Sequence, residues 1–157
     1  MIAEEIRGAF GEEGDITVSS TQQLVNLNAV INETLRLDPP VGTGGTYISY
    51  KHFAAKRRAY SFYLHGTFLP GRFIDAWEGD GMAGFNPVGA GRNSCIGVKS
   101  AYAEMQVVLT RLVWGFDMRV DDEERGSDCV EQATYIFRDN KASRPALIEH
   151  STYARSM

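Results

Sequence analysis

A glycine-rich segment that runs straight into an amphipathic helix constrains the fold of this chain more than any other feature. Residues 85–97 have the sequence FNPVGAGRNSCIG and hold Cys95 in a turn just before a predicted helix over residues 98–116. That helix is predicted because apolar residues recur at helical spacing, namely Val98, Ala101, Met105, Val108, Leu109, Leu112, Val113 and Phe116. Polar residues fall on its other faces, namely Lys99, Ser100, Glu104, Thr110 and Arg111. We therefore expect a buried helix that carries a cysteine at its start.

Cys95 is the candidate functional residue of this segment. A helix N-terminus presents free amides and the positive end of the helix dipole, which favour an anion, so a cysteine there is biased toward the thiolate. The thiolate is the form that binds metals, and a sulfur held at the start of a buried helix suits a haem ligand. Taken alone, however, a cysteine is more often a small buried apolar residue. Whether Cys95 is a haem ligand or a buried apolar residue therefore has to be decided from motifs elsewhere in the chain.

A second helix is predicted over residues 20–37. Ser20 and Gln23 match a capping box at its start, and Pro39-Pro40 prevents the helix from continuing. Its core face is predicted by an apolar stripe, namely Leu24, Leu27, Ile31 and Leu35.

An acid and a base on this helix can form an ion pair. Glu33 and Arg36 are three residues apart, so their side chains project from the same face. For an arbitrary pair at this spacing, a solvent-exposed contact worth under about 1 kcal/mol is expected.

Three motifs together resemble the cytochrome P450 family, particularly its fungal branch. The run from Phe85 to Val120 resembles the family's cysteine-ligand loop and the helix that follows it. Glu33-Thr34-Leu35-Arg36 resembles the E-x-x-R motif. Pro70-Gly71-Arg72-Phe73 resembles the P-E-R-F motif, with glycine in place of the glutamate. All three occur in the family's order.

The resemblance implies a cofactor, a triad and a reaction. The cofactor is haem (iron protoporphyrin IX), with Cys95 as the axial thiolate ligand of its iron. Glu33, Arg36 and Arg72 would form a structural triad that fixes the fold near the haem without taking part in catalysis. In an intact family member, the enzyme is a monooxygenase that inserts one oxygen atom of O₂ into a small organic substrate, with electrons from an NADPH-dependent reductase.

The resemblance also implies which residues surround the haem. Arg92 and Asn93 are expected near the haem propionates, although the family usually has its basic residue at the position of Asn93. Val88 stands where the family usually has a phenylalanine against the haem. Gly91 and Gly97 are expected to provide backbone freedom that lets the chain turn closely beneath the porphyrin.

The fold implied by the resemblance is mainly α with small β elements (α+β), namely the C-terminal, haem-proximal portion of the cytochrome P450 fold. Residues 1–157 are expected to form a single, incomplete domain of this kind. Its C-terminal strands are predicted within about 133–151, at residues 133–137 and 146–150.

An alternative function follows from what the sequence does not resemble. Residues before Ser20 do not match the long distal helix with which the family activates O₂, and a segment after Val41 is expected to be omitted. The alternative is therefore a catalytically inactive, truncated remnant that lacks the distal oxygen-activating helix.

Composition and charge narrow the classes of partner. The formal net charge of −4 argues against nucleic acid as a partner. The basic cluster within residues 51–58 is expected to be a solvated face, with a small binding module as a distant alternative. Two cysteines, Cys95 and Cys129, are too few for a secreted disulfide scaffold. The sequence predicts no targeting or transmembrane segment, whereas intact family members are usually anchored at the cytoplasmic face of the endoplasmic reticulum membrane.

Overall fold

The computed structural model describes residues 2–37, 39, 62–64, 66–75, 80–82, 85–89, 94–120 and 146–150. Within them, the α-helices are α1 (Ile2–Ala9), α2 (Val18–Thr21), α3 (Val25–Leu37) and α4 (Val98–Gly115). Short 3₁₀ helices lie at Glu13–Asp15 and Pro70–Phe73, and the strands are β1 (Phe116–Val120) and β2 (Ala146–His150). The prediction of a mainly α fold with small β elements is confirmed at this level.

The chain divides into two compact units, each of which draws on more than one part of the sequence. The first unit holds α1, α2, most of α4 and both strands. The second unit holds most of α3, the 3₁₀ helix Pro70–Phe73 and the turn that carries Cys95. Every sequence-predicted site residue that the structure describes lies in this second unit.

The helix predicted over residues 20–37 is in fact two helices. Before α2, the hydroxyl of Thr17 accepts a hydrogen bond from the Ser20 amide at 3.2 Å, and the Ser20 hydroxyl accepts one from the Thr17 amide at 2.9 Å. The capping box is therefore Thr17–Ser20, and the prediction of Ser20 as the first cap was wrong. The predicted core stripe is confirmed, because all four of its members are at most 8% exposed, namely Leu24, Leu27, Ile31 and Leu35.

Helix α1 supplies charged groups to the ends of two other helices in the first unit. The Glu5 carboxylate accepts hydrogen bonds from the amides of Asn26 and Leu27, at 2.9 and 3.0 Å, in the first turn of α3. Arg7 Nη2 donates to the carbonyls of Val113 and Phe116, at 3.0 and 3.3 Å, where α4 ends. Each charge matches the helix dipole at its end and pairs backbone groups that the helix itself leaves unpaired.

Substitution of Glu5 by alanine should therefore destabilise the chain. The loss of a side-chain cap and of a favourable charge at a helix N-terminus predicts a fall of about 1–2 kcal/mol in the free energy of unfolding. Denaturant unfolding followed by circular dichroism measures this change. Glu104→Ala is the matched control, since Glu104 is an exposed glutamate on α4. A loss no larger than that of the control would contradict the capping role of Glu5.

The bounds predicted for α4 are correct to one residue, but its predicted core face was partly wrong. The buried residues are Gln106, Thr110 and Trp114, whereas Val108 and Leu112 are 49% and 37% exposed. With 3.6 residues per turn, these two sets lie on nearly opposite sides of the helix. The physical reason is Trp114, which buries its large ring and donates from Nε1 to the carbonyl of Phe10 at 3.2 Å. None of the described helices is both long and apolar enough to cross a membrane.

The two strands form an antiparallel pair in the first unit. Phe116 pairs with His150 and Val120 with Ala146, so the register runs through all five residues of each strand. The predicted strand at residues 146–150 is confirmed. Its partner β1 was missed, because the helical pattern of α4 was extended to Phe116. The strand predicted at residues 133–137 lies outside the described residues.

Candidate functional site

The ion pair on α3 is buried. The Glu33 carboxylate accepts two hydrogen bonds from Arg36, from Nε at 2.7 Å and from Nη2 at 3.0 Å. The Leu69 amide donates a third to the same carboxylate at 2.7 Å. The side chains of Glu33 and Arg36 are 0% and 4% exposed, so this pair is not the solvent-exposed contact expected of an arbitrary pair at this spacing. A pair withdrawn from water in this way is sensitive to the loss of either partner.

Arg72 joins the pair from the 3₁₀ helix Pro70–Phe73. Its side chain is 0% exposed, and its Nε lies 3.3 Å from both oxygens of Glu33. The proline at the start of this 3₁₀ helix suits a position where no amide donor is needed. The structure thus brings together Glu33, Arg36 and Arg72, the three residues singled out by the sequence motifs.

An aromatic ring lies against both arginines of this cluster. Phe62 is 4% exposed, and the guanidinium carbons of Arg36 and Arg72 lie 5.3 and 5.6 Å from its ring centroid. Both distances are within the range of about 6 Å for cation–π attraction. The sequence motifs did not identify Phe62, since no local pattern distinguishes it from its aromatic neighbours.

A side-chain contact links the cluster of Glu33, Arg36 and Arg72 to the glycine-rich segment that holds Cys95, which we call the cysteine segment. Phe73, the residue after Arg72, meets the ring of Phe85 edge-on, with centroids 4.9 Å apart. Phe85 opens the glycine-rich segment, and the carbonyl of Val88 in that segment accepts a hydrogen bond from the Cys95 amide at 3.1 Å. This hydrogen bond brings the cysteine backbone beside Val88.

Cys95 lies on an open surface just before α4. Its thiol is free and exposed, and the next side chain, that of Ile96, is fully exposed. The Val98 amide at the start of α4 donates to the Cys95 carbonyl at 3.3 Å, so the cysteine stands at the N-terminal end of the helix, as predicted. Burying a side chain such as that of Ile96 contributes about 1.5–3 kcal/mol, so an apolar ligand over this surface would be stabilised.

The other residues predicted around the cofactor are only partly described. Gly91, Arg92 and Asn93 lie outside the described residues. Val88 is half-buried and contributes its carbonyl, as above.

The φ of Gly97 lies outside the left-handed region, so its backbone conformation alone does not require glycine. The close approach to a porphyrin expected of Gly97 stays a prediction. A Cβ there would lie 3.8 Å from Cys95 Sγ, at ordinary contact distance. Among the described glycines, it is Gly89 that has a positive φ, of 85°.

Comparison with known proteins connects this geometry to a family. Residues 45–143 match the family model described as Cytochrome P450. The matched range is well over half of the chain, and it includes both Arg72 and Cys95.

Curated relatives agree with the family model. The chain is 33% identical over 159 positions to the cytochrome P450 monooxygenase astJ of Aspergillus oryzae, an alignment that covers 86% of the chain and 31% of the relative. It is 31% identical to the cytochrome P450 monooxygenase atr2 of Stereocaulon alpinum, over 97% of the chain and 33% of the relative. It is 30% identical to averantin hydroxylase of Aspergillus parasiticus, over 90% of the chain and 33% of the relative. The chain thus spans about a third of the length of these relatives.

Proposed function

The chain belongs to the cytochrome P450 family, and on this premise we propose that Cys95 binds haem iron as the axial thiolate of a monooxygenase. The proposed reaction inserts one oxygen atom of O₂ into a small organic substrate, with an NADPH-dependent reductase as the electron donor. Relatives named monooxygenase and hydroxylase support this reaction type. The observation that carries the proposal is the accessible thiol of Cys95 at the start of α4.

The described residues around Cys95 fit a haem. The site offers one sulfur ligand, which suits the single axial thiolate of a P450-type haem. Ile96 beside it is apolar and fully exposed, and Val88 is half-buried, so an apolar macrocycle would cover surface that otherwise contacts water. The propionates are anionic, and we propose that Arg92 pairs with them, with Asn93 close by as a hydrogen-bond donor.

The residues of the chain have separate tasks in this proposal. The Val88 carbonyl holds the Cys95 amide and so fixes the backbone from which the sulfur projects. The free amides at the start of α4 favour negative charge on that sulfur. Gly97 leaves space beside Sγ, and we propose that Gly91 provides backbone freedom for a close approach to the porphyrin. Haem, when bound, would supply the O₂ and one-electron chemistry, and amides near the thiolate would tune the reduction potential of its iron.

Glu33, Arg36 and Arg72 are structural in this proposal. They lie buried away from solvent, and their polar groups are engaged with one another and with the backbone. Through Phe73 and Phe85 they support the segment that leads to Cys95. We propose on this basis that the second unit is the haem-proximal part of the family fold, within a single domain to which residues 1–157 contribute.

A haem titration of the 157-residue chain tests the proposal. The absorbance of bound haem should rise to saturation at one haem per chain. Cys95→Ser should weaken binding at least tenfold, because even the loss of an outer partner of a metal ligand costs about 10–100-fold in affinity. Cys129→Ser is the matched control and should bind as the parent chain does. Equal affinity of the Cys95→Ser chain and the parent would contradict the proposal.

A further inference from the structure

The shortest ion pair of Arg72 is with a residue outside the three motifs. Arg72 Nη1 donates to both carboxylate oxygens of Asp80, at 2.8 and 2.7 Å. Its Nε is 3.3 Å from Glu33, and its Nη2 donates to the carbonyl of Tyr63 at 3.0 Å. The Asp80 side chain is 1% exposed and that of Arg72 is 0% exposed. Asp80 is therefore the closest anion to this arginine and is as deeply buried.

Charge balance explains why a second acid is needed. Glu33, Arg36 and Arg72 together carry one net positive charge, and none of their side chains is more than 4% exposed. An uncompensated charge in such a place is strongly unfavourable. Asp80 adds one negative charge and makes the buried cluster neutral. We propose that Asp80 is the fourth member of this network, a positioning residue that balances the charge of Arg72 and sets its orientation.

Asp80 and Arg72 also hold the same peptide segment from two directions. The Tyr63 amide donates to Asp80 Oδ1 at 2.8 Å, while the Tyr63 carbonyl accepts from Arg72. The neighbouring Phe62 lies against the guanidinium of Arg72, so a displaced Arg72 would also lose this ring. On its other side, Arg72 precedes Phe73, which contacts Phe85 at the start of the cysteine segment. The orientation of Arg72 thus bears on the backbone that leads to Cys95.

Substitution of Asp80 by asparagine separates its charge from its hydrogen bond. Asparagine keeps an oxygen that can accept from the Tyr63 amide, but it removes the negative charge beside Arg72. In the 157-residue chain, we expect the midpoint of thermal unfolding to fall by about 8 °C. Asp75→Asn is the matched control, because Asp75 is exposed and lies on the same segment, and it should shift the midpoint by about 1 °C at most. An Asp80→Asn shift as small as that of the control would overturn the inference.

Two further variants test whether charge pairing is the cause. Asp80→Glu restores the negative charge and should recover part of the lost thermal midpoint. Arg72→Met combined with Asp80→Asn leaves Glu33 and Arg36 as a neutral pair, so the combined loss should be clearly smaller than the sum of the two single losses. Additive losses, or no recovery by Asp80→Glu, would overturn the inference.

The double variant also decides the case in which Asp80→Asn alone does not fold. Folding of the double variant would then support the pairing of Arg72 with Asp80, and its failure to fold would contradict it. The inference rests on contacts within the second unit and not on haem, so a chain that bound no haem would leave it unchanged.

Discussion

Replacement of Glu33 by glutamine is expected to lower the free energy of unfolding by about 3–5 kcal/mol. The substitution preserves size but removes the carboxylate that accepts hydrogen bonds from Arg36, Arg72 and the Leu69 amide. The side chains of Arg36 and Arg72 are 4% and 0% exposed, so water cannot replace the lost anion. The expected loss is a large share of the roughly 5–15 kcal/mol by which a domain is usually stable. Denaturant unfolding followed by circular dichroism measures it.

The control for this experiment is an ion pair at the surface. Glu13 lies 3.9 Å from Arg111, and these side chains are 64% and 52% exposed. Glu13→Gln should therefore change the free energy of unfolding by less than about 1 kcal/mol. If Glu33→Gln and Glu13→Gln lowered the free energy of unfolding by similar amounts, the claim that burial makes the Glu33 cluster important for stability would be contradicted.

Replacement of Cys95 by histidine is expected to change the class of haem ligand without preventing haem binding. An imidazole nitrogen also ligates haem iron, and the exposed position of Cys95 leaves room for the larger ring. A thiolate gives electron density to the iron that an imidazole does not. Absorption spectra of the reduced, carbon monoxide-treated variant should therefore lack the red-shifted Soret band of a thiolate-ligated haem.

The same substitution at the other cysteine provides the control. Cys129→His should retain the spectrum of the parent chain, because the proposal gives Cys129 no part in ligation. A thiolate-type spectrum that persists in Cys95→His would contradict the assignment of Cys95 as the ligand.

Features with a local cause could be predicted from the sequence. Helix α4 was predicted over 98–116 and spans Val98–Gly115, because helical periodicity and a preceding glycine turn are both local signals. The position of Cys95 just before this helix followed from the same signals. The spacing of Glu33 and Arg36 likewise predicted that the two could pair, and they do.

Features that depend on distant contacts could not be predicted in this way. The buried face of α4 is set by Trp114, whose hydrogen-bond partner Phe10 is 104 residues away. The strand β1 has its partner β2 about thirty residues further along the chain. The start of α2 was mistaken for another reason. Ser20 and Gln23 match the usual capping-box pattern, whereas the box that forms has a serine, Ser20, at the position where glutamate or glutamine is usual.

In the candidate site, too, features with local signals could be predicted and features that depend on distant contacts could not. Sequence motifs identified Glu33, Arg36 and Arg72, but their depth of burial depends on the segments that cover them. Phe62 and Asp80 were missed because neither belongs to a motif, and both reach the cluster only in the folded chain. Arg92 and Asn93 lie outside the described residues and remain predictions.

The carbon monoxide difference spectrum of the haem-reconstituted, reduced chain tests the central claim most directly. Ligation by Cys95 predicts the red-shifted Soret band of a haem thiolate in the parent chain and its loss in Cys95→Ala. A parent chain that gives only the unshifted band of a histidine-ligated or neutral haem, or a Cys95→Ala chain that keeps the shifted band, would contradict the claim that Cys95 is the ligand.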